Sequence, residues 1–202
     1  MAEHDGLPWT RPGHFGAASS GVVIAGATIT AAWNLQGSAA HSAFADAARH
    51  QFDVALPIAP NTIAKTDTLI TLWLGPRSWL LLTGAPSRLV DIDEKRDEMN
   101  AAGGALFDVS ASRVAWTISG PYAATVLAKG CPLDFHPRVF PAQSCAQSML
   151  GHVSALFVKP TAAPVFTVMI ARSFARDAWH WLLEAAAQYG VEGRPPTAIN
   201  AS

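Results

Sequence analysis

The chain has 202 residues and a formal net charge of −1, which gives no electrostatic basis for binding nucleic acid or an anionic membrane. A chain of this length buries about 70% of its unfolded surface on folding and needs no disulfide or metal for stability. Only 14% of the residues are charged, against about 25% in an average soluble domain, so we expect another protein to cover part of the surface.

Neither a membrane span nor a secretion signal accounts for the low charge. The longest weakly polar run, residues 21–33, contains Thr28 and Thr30 and is shorter than the about 20 residues that a spanning helix needs. Glu3 and Asp5 stand where a secretion signal would carry basic residues. We therefore predict a cytoplasmic protein.

The first half of the chain predicts strands and helices in alternation. Residues 1–20 are rich in Gly, Pro, His and Ser and are typical of a flexible arm. A strand-like segment at residues 22–35 is followed by a helix that Ser38 could cap, with Phe44, Ala47 and Ala48 on one side. Residues 67–73 and 78–83 predict a hairpin joined by Gly75, Pro76 and Arg77.

A second helix is expected between Pro86 and the Gly103-Gly104 pair, with Leu89, Ile92 and Met99 on one face. The second half begins with the strand at residues 113–119, where apolar and small or polar residues alternate. Gly120 and Pro121 then predict a sharp turn into a helix over residues 121–129, and Gly130 followed by Pro132 predicts its end.

Three further elements complete the chain: a long strand at about residues 147–158, a strand at 164–171 and a helix at 174–189. Both halves thus follow the pattern strand, helix, strand, strand, helix. We predict an α+β fold of antiparallel sheets backed by helices, in the manner of a doubled ferredoxin-like unit (βαββαβ-type). We expect residues 21–192 to form one domain with pseudo-repeated halves at about 21–110 and 111–192, and residues 193–202 to form a tail.

Signatures of catalysis are missing from the sequence. It contains no Gly-x-Ser-x-Gly motif, no Gly-x-Gly-x-x-Gly motif and no Walker sequence. Cys131, His136, Cys145 and His152 are the only plausible metal cluster, and they lack the closely spaced cysteine pair of a structural zinc site. We expect no metal and no catalytic residue in this chain, and we expect both cysteines to be buried thiols.

Asp108, Ser110 and Arg113 are the candidates for binding a small ligand, because they cluster at a strand end. The favoured interpretation is a structural turn. In that turn Asp108 and Ser110 accept backbone N–H groups and Arg113 pairs with Asp108.

Arg172, Trp179 and Leu183 are the candidates for contact with a partner. Ser173 is a suitable N-cap for the last helix, and Arg172 next to a helix N-terminus favours a partner carboxylate. The last helix has an apolar stripe about twice the width that a surface helix needs. The helix is either buried on two sides within the domain or meets another subunit through Trp179 and Leu183, and the second interpretation is slightly favoured.

Three segments resemble one known family, the gamma subunit of heterotetrameric sarcosine oxidase. They are LGPRSWLLL at residues 74–82, DVSASRVAWTISGPYAATVLAKGCPLD at 108–134 and VMIARSFARDAWHWLLEAA at 168–186. The second segment is also similar to folate-binding aminomethyltransferases, while the third favours the oxidase subunit. Together the segments span roughly residues 68–190.

The resemblance implies a fold like the folate-binding domain of aminomethyltransferases and tRNA-modifying GTPases. It implies a non-catalytic subunit that packs against the large subunit of a complex with alpha, beta and delta chains. In that family the complex demethylates sarcosine to glycine and produces methylenetetrahydrofolate and hydrogen peroxide. FAD, FMN, NAD, tetrahydrofolate and zinc belong to its other subunits. A folate-binding module and an aminomethyltransferase-like one-carbon enzyme are the alternatives.

Overall fold

The computed structural model describes residues 12–84 and 92–199, which form twelve strands and four α-helices. Short 3-10 turns at Ser110–Ser112, Arg172–Phe174 and Ala187–Tyr189 join some of these elements. In chain order the elements are β1 (Gly13–Phe15), β2 (Val22–Thr28), β3 (Ala31–Gln36), α1 (Ser42–Phe52), β4 (Ile63–Lys65), β5 (Ile70–Gly75), β6 (Ser78–Thr83), α2 (Ile92–Ala101), β7 (Ala105–Asp108), β8 (Arg113–Ser119), α3 (Ala123–Ala128), β9 (Ser144–Leu150), β10 (Val153–Lys159), β11 (Val165–Ala171), α4 (Ala175–Ala186) and β12 (Val191–Ala198).

The chain divides into two compact units. The first contains the residues up to 28 and residues 113–197, and the second contains residues 29–112 and the residues from 198 onward, in each case as far as the structure describes them. The first unit has a seven-stranded sheet in the order β1-β12-β2-β8-β11-β10-β9. The second has a five-stranded sheet in the order β4-β5-β6-β3-β7.

Both units follow the same path through their sheets. The second unit runs β3-α1-β4-β5-β6-α2-β7, and the first runs β8-α3-β9-β10-β11-α4-β12. The neighbouring strands also correspond: β4, β5, β6 and β3 lie side by side in the second unit, as β9, β10, β11 and β8 do in the first. The last strand, β7, is next to β3 in the second unit, whereas in the first unit β2 lies between β8 and β12. The α+β fold expected from the sequence is therefore confirmed.

Strand β8 has the bounds that its alternation predicts. Val114, Trp116 and Ile118 are buried in the core of the first unit, and β8 pairs antiparallel with β11 on one side and β2 on the other. Gly120 has a φ of +108°, and a Cβ there would lie 2.7 Å from the carbonyl oxygen of Gly21. The turn that follows β8 therefore requires glycine.

Two predicted strands are wrong because each is broken by a turn. The long strand expected at residues 147–158 is an antiparallel hairpin of β9 and β10, in which Leu150 pairs with Val153. Gly151 at the turn has a φ of +62°. The strand expected at residues 22–35 is also two strands, β2 and β3, which belong to different sheets. No glycine or proline marks the break between them, at Ile29 and Thr30.

The helices begin later than the sequence suggests. His41 precedes the first turn of α1 and makes no side-chain cap, so the expected cap at Ser38 is wrong. Helix α3 begins at Ala123, two residues after Pro121. The expected start of the second helix at Pro86 and Leu89 lies outside the described residues. No helix in the described ranges has the length and apolar character needed to cross a membrane.

Strands also lie in segments where the sequence predicted an arm and a tail. Within residues 12–20, strand β1 pairs antiparallel with β12, with Gly13 opposite Gly193 and Phe15 opposite Val191. Strand β12 continues to Ala198. The domain boundaries at residues 20 and 192 remain predictions.

Each unit has its own hydrophobic core on the helix-covered face of its sheet. The first core packs β8, β10 and β11 against α3 and α4 and includes Trp116, Phe157 and Trp179. The second core packs β3 and β6 against α1 and includes Phe44 and Trp79.

Candidate functional site

Asp108 and Ser110 form a compact turn at the end of β7 in the second unit. The Oδ1 atom of Asp108 accepts hydrogen bonds from the backbone N–H of Ser110, at 2.9 Å, and from its hydroxyl, at 2.5 Å. The Oγ atom of Ser110 accepts the backbone N–H of Ala32 on β3, at 2.9 Å. These bonds hold the start of the 3-10 turn at Ser110–Ser112 against β3. Both side chains therefore have a structural role.

Arg113 is the first residue of β8 and belongs to the other unit. It lies opposite Ala171 in the β8–β11 pair. Its side chain is half-buried, and this burial lowers the pKa of the guanidinium because a charged group loses hydration there. Asp108 and Arg113 lie in different units, and the ion pair expected between them from the sequence stays a prediction.

Helix α4 places Trp179 inside the protein. The Trp179 side chain is 4% exposed and packs in the core of the first unit with Ala175, Ala178 and Leu182. This burial corrects the expectation that Trp179 presents its indole to another subunit. Leu183 is half-buried against the same core. The wide apolar stripe of the helix therefore packs within its own unit. The width of an apolar stripe alone could not distinguish these two cases.

Arg172 is exposed in the 3-10 turn that precedes α4. The N-cap position of α4 is occupied by Phe174, which makes no side-chain cap, so the expected N-cap at Ser173 is wrong. Phe174 is itself 43% exposed. An arginine and an aromatic residue, two types enriched in protein interfaces, are thus both exposed in this turn.

The first unit contains a buried lysine that was not expected from the sequence. Lys159 ends β10 and is 2% exposed. Its Nζ atom donates a hydrogen bond to the carbonyl oxygen of Ala163, at 2.9 Å, across the β10–β11 turn. Burial lowers the pKa of Lys159. Its position in the strand could have predicted this burial. Ala155 and Phe157 both point into the core, and Lys159 is the next residue in the same two-residue period.

The cysteines and histidines do not form a metal site in the part of the chain that the structure describes. There, no three His, Cys, Asp or Glu side chains lie together in an arrangement suited to a metal ion. Cys131 and Cys145 are both buried and neither forms a disulfide, which confirms the expectation of two buried thiols.

Comparison with known proteins gives consistent matches over most of the chain. Residues 36–188 match the model of the sarcosine oxidase, gamma subunit family. The chain is similar to the sarcosine oxidase subunit gamma of Corynebacterium sp. (strain U-96), with 31% identity over 77% of this chain and 73% of that protein. It is 30% identical to the subunit gamma of an Arthrobacter species over 82% of this chain and 79% of that one.

Solved structures give the same result. One chain of the heterotetrameric sarcosine oxidase from Corynebacterium sp. U-96, in complex with pyrrole 2-carboxylate, is similar with a TM-score of 0.77 and 26% identity. The similarity covers 87% of this chain and 88% of that chain. The glycine cleavage system aminomethyltransferase T from Bartonella henselae is similar in fold alone, with a TM-score of 0.57 and 15% identity over 49% of its length.

Proposed function

Because the chain belongs to the sarcosine oxidase gamma subunit family, we propose that it is a non-catalytic accessory subunit of a heterotetrameric sarcosine oxidase complex. The observation that carries the proposal is the extent of the match. The family model covers residues 36–188, and the similar chain in a solved heterotetramer is matched over 88% of its length. The low charged fraction of 14% supports a protein that is partly covered by other chains.

The proposed partners are alpha, beta and delta chains, with the large subunit as the main contact. Arg172 and Leu183 remain the contact candidates from the sequence analysis, and Trp179 does not because its side chain is buried. Cytoplasmic location also remains a prediction.

The proposed reaction of the assembled complex is the oxidative demethylation of sarcosine to glycine with tetrahydrofolate, which yields methylenetetrahydrofolate and hydrogen peroxide. FAD, FMN, NAD, tetrahydrofolate and zinc are assigned to the other chains. The Ser110 hydroxyl donates to Asp108 Oδ1, and Ser110 Oγ accepts the backbone N–H of Ala32 on β3. These bonds support a structural role for the Asp108 turn rather than a folate site.

Co-expression tests the proposal. The chain is expressed with the flavoprotein, dinucleotide-binding and cysteine-rich chains of the same complex, and an affinity tag on the gamma chain is used for purification. We expect a stable complex of four different chains that consumes oxygen when sarcosine is added. A monomeric gamma chain that none of the other chains retains would contradict the proposal.

The alternatives, a folate-binding module and an aminomethyltransferase-like enzyme, are tested by titrating the isolated chain with tetrahydrofolate. We expect no saturable binding up to about 1 mM, since a ligand of this size in a true site binds with a Kd well below that concentration. Saturable binding that Asp108→Ala abolishes would instead support a folate module.

A further inference from the structure

We propose that Met149 is an oxidation site, at which hydrogen peroxide released by the assembled complex converts the thioether of the side chain into a sulfoxide. The inference rests on the proposed function, because that complex supplies the peroxide. Met149 lies near the end of β9, which is the last strand of the seven-stranded sheet. Its side chain is 37% exposed.

Met149 carries the exposed sulfur among the sulfur-bearing residues that the structure describes. The other four have exposed fractions of 6% or less: Met99, Met169, Cys131 and Cys145. Hydrogen peroxide oxidises sulfur side chains, and the susceptibility of each one follows its exposure. Within the described ranges, peroxide from solvent therefore has one accessible sulfur.

The strand pairing explains why this sulfur stays at the surface. Leu150 points into the core of the first unit, so Met149, the residue before it, points to the opposite face of the sheet. Ser154 on β10 lies directly opposite Met149, and its hydroxyl donates a hydrogen bond to Sδ of Met149, at 3.8 Å. Both side chains are exposed, so the sulfur is held where a small polar oxidant can approach it.

The oxidation needs no group other than the peroxide. A lone pair of the Met149 sulfur attacks one peroxide oxygen, so that an S–O bond forms while the O–O bond breaks. The proton on the transferred oxygen passes to the departing hydroxide, which leaves as water. The sulfur is oxidised by two electrons and the peroxide is reduced by two. Because methionine sulfoxide is reduced again by dedicated reductases, each cycle at this residue removes one molecule of peroxide.

The fold accommodates the product at this position. A sulfoxide oxygen is polar and accepts hydrogen bonds, and at Met149 it meets solvent and the hydroxyl of Ser154. The same oxygen at Met169, which is completely buried, would lose its hydration. Oxidation of Met149 should therefore leave the melting temperature of the chain within about 2 °C of the reduced form.

The proposal is tested in the assembled complex during turnover. The complex is supplied with sarcosine under dioxygen that is labelled with a heavy oxygen isotope, and the gamma chain is then digested for mass spectrometry. Both oxygen atoms of the peroxide come from dioxygen, so the label separates this reaction from oxidation during handling. We expect the labelled sulfoxide at Met149 to exceed that at Met99 or Met169 at least about tenfold. Addition of catalase should abolish the label.

The isolated full-length chain provides a second measurement, with reagent hydrogen peroxide in place of the complex. Met149 should be oxidised at least about tenfold faster than Met99 or Met169. Met149→Leu should remove most of the oxygen gained by the peptides from residues 92–199. Met169→Leu is the matched control and should leave that gain unchanged, because the residue that it replaces is buried.

The outcomes distinguish this inference from the proposed function. If the complex does not assemble, or releases no peroxide when sarcosine is added, the proposed function fails and the inference fails with it. If the complex releases peroxide and Met149 gains no labelled oxygen, the inference is overturned while the proposed function stands. Oxidation of Met149 in the isolated chain but not in the working complex has the same meaning, since another subunit then shields the sulfur. Equal labelling of Met99, Met149 and Met169 would also overturn the inference.

Discussion

The Nζ atom of Lys159 lies 4.4 Å from the centre of the Phe166 ring, and both side chains are buried. Phe166 in turn packs edge-on against Phe135, so the ammonium group rests on an aromatic cluster. Lys159 is not part of the Arg96–Asp93 or the Arg194–Glu192 ion pair. Its charge is therefore stabilised by the face of an aromatic ring and one carbonyl oxygen, which replace only part of its hydration.

The first prediction concerns the pH dependence of stability. Burial lowers the pKa of Lys159 in the folded state, so the unfolded chain binds more protons between that lowered pKa and the unfolded value of about 10.4. The contribution of Lys159 to the free energy of unfolding should therefore rise with pH across this window. The Lys159→Met variant should lack this rise, which urea denaturation at a series of pH values from 8 to 10.5 would measure.

Lys65 provides the matched control, because its side chain is exposed. Lys65→Met should keep the alkaline rise of the wild type. If Lys159→Met and the wild type show the same dependence on pH, the ammonium of Lys159 is not desolvated in the folded protein.

The second prediction compares two tryptophans that differ in one hydrogen bond. Trp116 and Trp79 are both completely buried. Trp79 Nε1 donates to Pro57, whereas Trp116 Nε1 has no hydrogen-bond partner among the described residues. Phenylalanine removes a similar volume in each case, but at position 116 it also removes a buried donor that lacks a partner. We expect Trp79→Phe to lower the free energy of unfolding by about 1–3 kcal/mol more than Trp116→Phe does.

Urea denaturation of the two variants at pH 7 measures this difference. Equal losses would mean that the two indole N–H groups are equally well satisfied in the folded protein.

Local patterns in the sequence predict some elements at the correct residues and miss others. The strands at residues 78–83 and 113–119 have the predicted bounds. The turn residues Gly75 and Pro76 precede the first, and alternation of apolar with small or polar residues marks the second. The β9–β10 hairpin was missed because its turn, Gly151 and His152, interrupts an otherwise continuous strand pattern without a proline or a longer polar loop. The break between β2 and β3 was missed because the change of sheet is a tertiary event.

The candidate site also contains features that the local sequence predicts and features that it does not. The turn at Asp108 and Ser110 follows from local hydrogen bonding of short polar side chains and was predicted correctly in that respect. The burial of Trp179 depends on which elements cover α4, and a helical stripe does not contain that information. Gly104 was explained as part of a helix stop, yet the structure places Phe44 of α1 directly against it, a contact that local sequence does not show.

The third prediction tests that contact. A Cβ at position 104 would lie 2.4 Å from Cε2 of Phe44 and 2.8 Å from the carbonyl oxygen of Gln36. Gly104→Ala should therefore lower the free energy of unfolding by about 1–3 kcal/mol. Phe44→Leu should relieve part of this clash, so the double variant should be more stable than the sum of the two single effects by about 0.5–2 kcal/mol.

Gly75 is the control for this series, because a Cβ there meets nothing within 4 Å. Gly75→Ala should change the free energy of unfolding by no more than about 0.5 kcal/mol. Strict additivity of Gly104→Ala and Phe44→Leu in chemical denaturation would show that the two residues do not compete for space.

The fourth prediction concerns helix α4 and the isolated chain. Because Trp179 packs in the core of the first unit, Trp179→Ala should lower the free energy of unfolding of the chain alone by about 3–5 kcal/mol. Leu183 is only half-buried, so Leu183→Ala should lower the free energy of unfolding by about 1–2 kcal/mol.

Phe174→Ala is the control, because this side chain is 43% exposed. It should lower the free energy of unfolding by less than about 1 kcal/mol. Chemical denaturation of the three variants without any partner provides the measurement. If Trp179→Ala leaves the stability of the isolated chain unchanged and weakens only its assembly with other subunits, the indole belongs to a subunit interface and not to the core.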